Sequence, residues 1–158
     1  MFHEELRILI SADALWENGF GVVFPEIEGI HAFDEVEQTL DIIEKLNPEL
    51  VLPGHGSMFS DVPAALARAK TRLAQFRNAP DKHASYAAKV LIKFKLLELQ
   101  KMTFPDLLAW AQGCRYLDLL HLRYAAGESY PDWIRSLVIG LEKSHACMRV
   151  GENEIVNL

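Results

Sequence analysis

The alternation of apolar and polar positions divides the chain into two stretches of different rhythm. "LRILISA" (Leu6 to Ala12) is a short apolar run of the length of a buried strand. "DALWENGFGVVFPEIEG" carries three glycines and Pro25, which predicts a loop rather than a regular element. Phe33, Val36, Leu40 and Ile43 then recur at three- and four-residue intervals and predict one face of a helix. "NPELVLPGHG" reads as a turn, a strand and a glycine loop. Leu66, Ala69, Leu73 and Phe76 repeat the helical spacing behind Asp61 and Pro63, residue types that start helices. Strand, loop, helix, strand, loop, helix is the order of an α/β architecture.

After "RNAPDKH" (Arg77 to His83) the rhythm becomes helical. Residues 84–101 predict a helix with Ala87, Val90, Leu91, Phe94 and Leu97 on one face. "TFPDLLAWAQGC" places Thr103 as an N-cap, Pro105 in the first turn and Gly113 near the end. Further helices are expected from Arg115 to Ala125 and from about Tyr130 to Ser144. "CMRVGENEIVNL" closes as a hairpin turning at Gly151-Glu152-Asn153. The boundaries are set at 1–79 for an α/β unit and 80–158 for a mainly helical, winged-helix-like unit.

Charge supports the same division. Residues 1–82 hold 7 Lys/Arg against 14 Asp/Glu, whereas residues 83–158 hold 9 against 8. Neither part is basic enough for a dedicated nucleic-acid binder, so nucleic acid is a less favoured partner. Half of the 158 residues are hydrophobic and 24% are charged, the balance of a globular chain. No run approaches the roughly 20 apolar residues of a membrane span. Glu4 and Glu5 follow the first residues without a basic segment, unlike a secretory signal. Cys114 and Cys147 make no disulfide framework and fit a reducing cytoplasm.

Two strand ends carry the candidate chemistry. Asp13 follows "ILISA" directly, and His55 follows "LVLPG". With a right-handed crossover through the intervening helix, both strands run the same way and both residues emerge on one rim. A carboxylate and an imidazole there are suitable ligands for zinc or a similar divalent ion. Gly54 and Gly56 let the backbone turn and keep bulk from the imidazole. The plainer alternatives are a turn-forming aspartate and an exposed loop histidine.

The pair "ILISADALWENGFGVVFPE" and "LNPELVLPGHG" resembles the second half of the metallo-β-lactamase superfamily of metallohydrolases. The resemblance covers residues 6–78. In that family an Asp after a strand bridges two metal ions, and Asp13 matches it. A later His in a Pro-Gly-His-Gly context completes one metal shell, and His55 matches it. Position 12 is Ala where the family commonly has Gly. The tail resembles the winged-helix extension of one branch of the superfamily. The fold so implied is the second half of an αβ/βα sandwich followed by the helical unit, and the cofactor is zinc or another divalent metal, two per complete site.

The larger departure is upstream. The family's main motif, His-x-His-x-Asp-His, has no counterpart here, and His3, in the turn-like "HEELR", is the only histidine before Asp13. Met1 is therefore expected to begin inside a fold. The sequence would then be a fragment, or a gene start placed at an internal Met, or one half whose partner is a separate chain. Two ligands do not close a zinc site. The expectation is a piece of a metal-dependent hydrolase, inactive alone, whose intact form acts on a small ester, thioester, lactam or phosphodiester. The exposed edge and apolar face of a half-sandwich are expected to favour homo-oligomers. The alternative is a non-catalytic interaction module using the winged-helix-like tail.

The remaining candidates read as structural. His31 precedes a helix. Trp16, Phe20 and Phe24 are expected to anchor their loop rather than line a cleft. His83, His121 and His145 have helical surroundings, and nothing near His145 and Cys147 adds further ligands. Lys89, Lys93, Lys95 and Lys101 are expected on a solvated helix face.

Overall fold

A computed structural model describes all 158 residues as seven helices and two three-stranded sheets, a mixed α and β chain. It divides into two units, Met1–Pro80 and Asp81–Leu158.

In the first unit, β1 (Phe2–His3) pairs antiparallel with β2 (Ile8–Ala12), and β2 pairs parallel with β3 (Leu50–Pro53). Between β2 and β3 the chain forms α1 (Phe24–Glu28) and α2 (Phe33–Leu46), and α3 (Val62–Asn78) follows β3. The segment expected to be wholly irregular thus contains a short helix. Pro25 sits in its first turn, where no N–H partner is needed. Gly29 ends it in the left-handed region at φ 85°. Helix α1 also serves α2. The N-cap of α2, Ala32, has no side-chain acceptor, and Glu26 Oε1 accepts instead from the N–H groups of Ala32 (2.6 Å) and Phe33 (2.8 Å).

Leu9 and Val51 point to the buried side of the sheet, and Leu40, Ile43, Leu66, Ala69, Leu73 and Phe76 complete the core as their spacing predicts. The other face holds the paired Ile10 and Leu52, 49% and 37% exposed. Arg7 closes the crossover: its guanidinium donates to the carbonyls of Leu46 and Asn47, and its own carbonyl accepts from Glu49 N–H at 2.8 Å. Along the α2–α3 seam Lys70 pairs with Asp41 (2.9 Å) and Glu44 (2.8 Å), and Arg77 with Asp34 and Glu37. The hydrogen bond from Lys70 holds the Asp41 carboxyl below its usual value. Its contribution is present above the unfolded-state pKa and is lost as pH falls through the folded one.

The second unit contains α4 (Pro80–Leu99), β4 (Lys101–Thr103), α5 (Phe104–Ala111), α6 (Arg115–Tyr124), α7 (Tyr130–Lys143), β5 (Cys147–Val150) and β6 (Glu154–Asn157). The sheet order is β4-β6-β5, antiparallel throughout. Thr103 and Ser129 cap α5 and α7, each accepting from the N–H three residues on. The expected linker is nearly all helix, since only Ala79 separates α3 from α4.

The buried face of α4 also differs from the expectation. Ala84, Ala87, Ala88, Ile92 and Leu96 are buried, while Phe94 and Leu97 are 53% and 47% exposed. Apolar residues surround this helix on nearly every side, so spacing alone did not select the face. Lys93 and Lys95 are also not simply solvated. Lys93 Nζ donates to Ala146 O (2.7 Å), Asn157 Oδ1 (2.5 Å) and Leu158 O (2.7 Å), and Lys95 pairs with Glu98 at 2.9 Å. Burial pushes the Cys147 thiol up, which keeps it protonated and unreactive at neutral pH. No helix is long and apolar enough to cross a membrane.

Candidate functional site

Asp13 owes its position to an irregular strand end. The β2–β3 register runs Ile10 to Leu52 and then Ala12 to Pro53, so Ser11 is an extra residue on β2. Its buried hydroxyl donates to Leu15 O at 2.6 Å and fixes the turn. Ala12 is left-handed at φ 48°, a conformation that costs a residue with a Cβ about 1–2 kcal/mol. Ala12→Gly is therefore expected to raise the melting temperature of the first unit, by the equivalent of up to about 1 kcal/mol after the unfolded-state entropy of glycine is offset. A lowered melting temperature would show that the Ala12 methyl packs favourably enough to outweigh the strain.

His55 arrives from β3. The Gly54 N–H donates to Ala12 O at 2.9 Å and carries the pairing of the two strands past Pro53. A Cβ on Gly54 would lie 3.0 Å from Asp13 Oδ1 and 3.1 Å from the Ala12 carbonyl carbon, so glycine is needed there for close approach. Gly56 turns the chain away at φ 85°. The outcome is a distance of 3.6 Å between His55 Nε2 and Asp13 Oδ1. Both side chains are accessible, 64% and 67% exposed.

Trp16 forms one wall of the site. Its ring stands edge-on to His55, with centroids 5.1 Å apart and planes at 81°. The loop holding it closes through Trp16 N–H to Gly19 O (2.7 Å). Helix α3 clamps that loop, with Arg68 Nε donating to Glu17 O (2.8 Å) and Arg72 to Asn18 O (3.3 Å). The indole Nε1 is buried without a hydrogen-bond partner. Loop anchoring, expected for Trp16, Phe20 and Phe24, describes Phe20, which is 2% exposed, while Phe24 is half-buried at the start of α1. Trp16 touches the candidate site as well.

Asp13 and His55 come together; the other histidines do not join them. His3 Nδ1 accepts from Leu6 N–H at 3.3 Å within its own turn, and His31 is exposed ahead of α2. In the second unit His83 is buried, and His121 Nε2 lies 2.9 Å from Glu128 O among Tyr130 and Trp133. No group of three or more His, Cys, Asp or Glu is gathered anywhere in the chain. One oxygen and one nitrogen donor fall short of the three protein ligands that a catalytic zinc takes. The donors present therefore make an incomplete metal site by themselves.

The sequence reading missed Ser11, and it placed the bulk that Gly54 avoids at the imidazole rather than at Asp13 and Ala12. Neither was visible without the bulge, although the Pro-Gly-His-Gly run marked the loop.

No family model and no curated protein matches the chain. Among solved structures it is distantly similar to a metallo-β-lactamase family protein of Thermus thermophilus, at 17% identity and a TM-score of 0.36. The match covers 99% of this chain and 44% of that one, so the chain spans less than half of that protein's length.

Proposed function

We propose that residues 1–79 carry part of the site of a metal-dependent hydrolase of the metallo-β-lactamase superfamily, with Asp13 and His55 as two of its metal ligands. One observation carries the reading: the parallel β2 and β3 end side by side and bring Asp13 Oδ1 within 3.6 Å of His55 Nε2. The Pro-Gly-His-Gly context of His55 and the strand-end context of Asp13 support the family. Further ligands would come from outside these 158 residues, and the isolated chain is inactive in this reading. The metal, when bound, would supply an activated water to an ester, thioester, lactam or phosphodiester. The second unit would be a winged-helix-like extension, and the apolar pair Ile10 and Leu52 would support self-association.

Zinc titration by calorimetry tests the assignment. The chain is expected to bind one zinc weakly, and Asp13→Ala and His55→Ala are each expected to remove the binding. Zinc binding unchanged in both variants would refute the pair as ligands. An in-frame His-x-His-x-Asp-His in the DNA upstream of Met1 would supply the further ligands. A nearby upstream stop codon without that motif would favour the non-catalytic interaction module.

A further inference from the structure

Asp13 has a second neighbour besides His55: it lies on the rim of a cavity of about 300 Å³ in the first unit. The walls are apolar, formed by Phe20, Val22, Val23 and Pro25 from the loop and α1 and by Val36 from α2. Gly21 also lines it, and a Cβ there would come within 3.4 Å of the Asp13 Cβ and 3.5 Å of the Trp16 ring. The polar lining groups besides Asp13 are Glu35 and Thr39. No Lys, Arg or His contributes to the lining, and the Glu35 carboxylate, exposed, has no ion-pair partner.

We infer that this cavity holds a short, uncharged apolar arm of the substrate and rejects an anionic one. The inference rests on the hydrolase reading above, and deepens it by naming the side of the substrate that this unit recognises. The volume is at the low end of small-molecule sites, roughly 300–1,000 Å³, which suits a short alkyl or aryl group rather than a polymer. Apolar walls favour such a group through burial. An anion would be desolvated beside the Glu35 carboxylate, with no basic group in the lining, which is unfavourable on both counts. The chain then binds the amide or ester of a short-chain acid and discriminates against the free acid.

The test uses the full chain without metal, with hexanamide and hexanoate as probes and amide chemical shifts as the readout. Hexanamide is expected to shift the amides of Gly21, Val23, Val36 and Thr39, and to bind about tenfold more tightly than hexanoate. Val36→Trp fills the cavity and is expected to weaken hexanamide about tenfold or more, with dispersed amide spectra confirming the fold. Glu35→Gln changes an exposed, unpaired side chain and is expected to narrow the preference for hexanamide over hexanoate. Absence of shifts at the lining residues, or equal binding of the two probes, overturns the inference. Unchanged discrimination in Glu35→Gln overturns its electrostatic basis. The zinc titration is read separately on the same protein: zinc binding without hexanamide binding rejects the cavity alone, and the converse rejects the ligand assignment alone.

Discussion

Leu40→Ala is expected to destabilise the first unit by about 2–5 kcal/mol, the cost of removing buried methyl groups and leaving a cavity. Leu40 is fully buried on the inward face of α2. Its neighbours Glu37 and Asp41 are held outward by Arg77 and Lys70 of α3. Chemical denaturation followed by amide exchange within α2 and α3 would measure the destabilisation. Such a loss is a large fraction of the roughly 5–15 kcal/mol by which domains are stable. The geometry at Asp13 and His55 depends on the same packing, because α2 lies in the crossover between the parallel β2 and β3. A loss below about 1 kcal/mol would mean that α2 readily repacks. Lys70→Met is expected to cost far less, since exposed ion pairs contribute little.

Lys93→Met is expected to destabilise the second unit by about 2–3 kcal/mol, as the loss of hydrogen bonds from a charged donor implies. The ammonium satisfies three acceptors at once, one in the turn before β5 and two at the end of β6. It thereby ties both ends of the hairpin to α4, across a sequence separation of more than fifty residues. Methionine keeps the apolar stem but strands those acceptors. Amide exchange should accelerate across residues 147–157 more than within α7. Lys93→Arg should retain part of the protection, since it keeps the charge. Uniform exchange through the unit in Lys93→Met would show that the lysine supports the core rather than the hairpin.

Much of the fold was legible in the sequence where one periodicity dominated. On α3 the apolar positions lie on a single stripe, and every predicted core residue is buried. The expected helix starts at Asp61 and Thr103 are short polar side chains, and each accepts an N–H in the first turn. On α4 the local signal failed, because apolar residues occupy almost every side. Tertiary packing chose Ile92 and Leu96 over Phe94 and Leu97. Lys93 was misread for the same reason: a solvated cation and one satisfied by distant carbonyls have the same local sequence.

What the sequence by itself determined is the order of the long helices and of β2, β3 and the closing hairpin, the two strand ends and the residue types placed on them. Alternation and helical spacing are local, and Asp13 and His55 stand at recognisable ends of apolar runs. The tertiary structure alone decided the 3.6 Å approach of the two side chains, the close approach of Gly54 to Asp13 and Ala12 and the cavity beside Asp13. Each depends on segments well separated in the chain being brought together by the α2 crossover, and on a one-residue bulge at Ser11 that re-aims the strand end. A bulge is a property of two paired strands, so no reading of one strand reveals it.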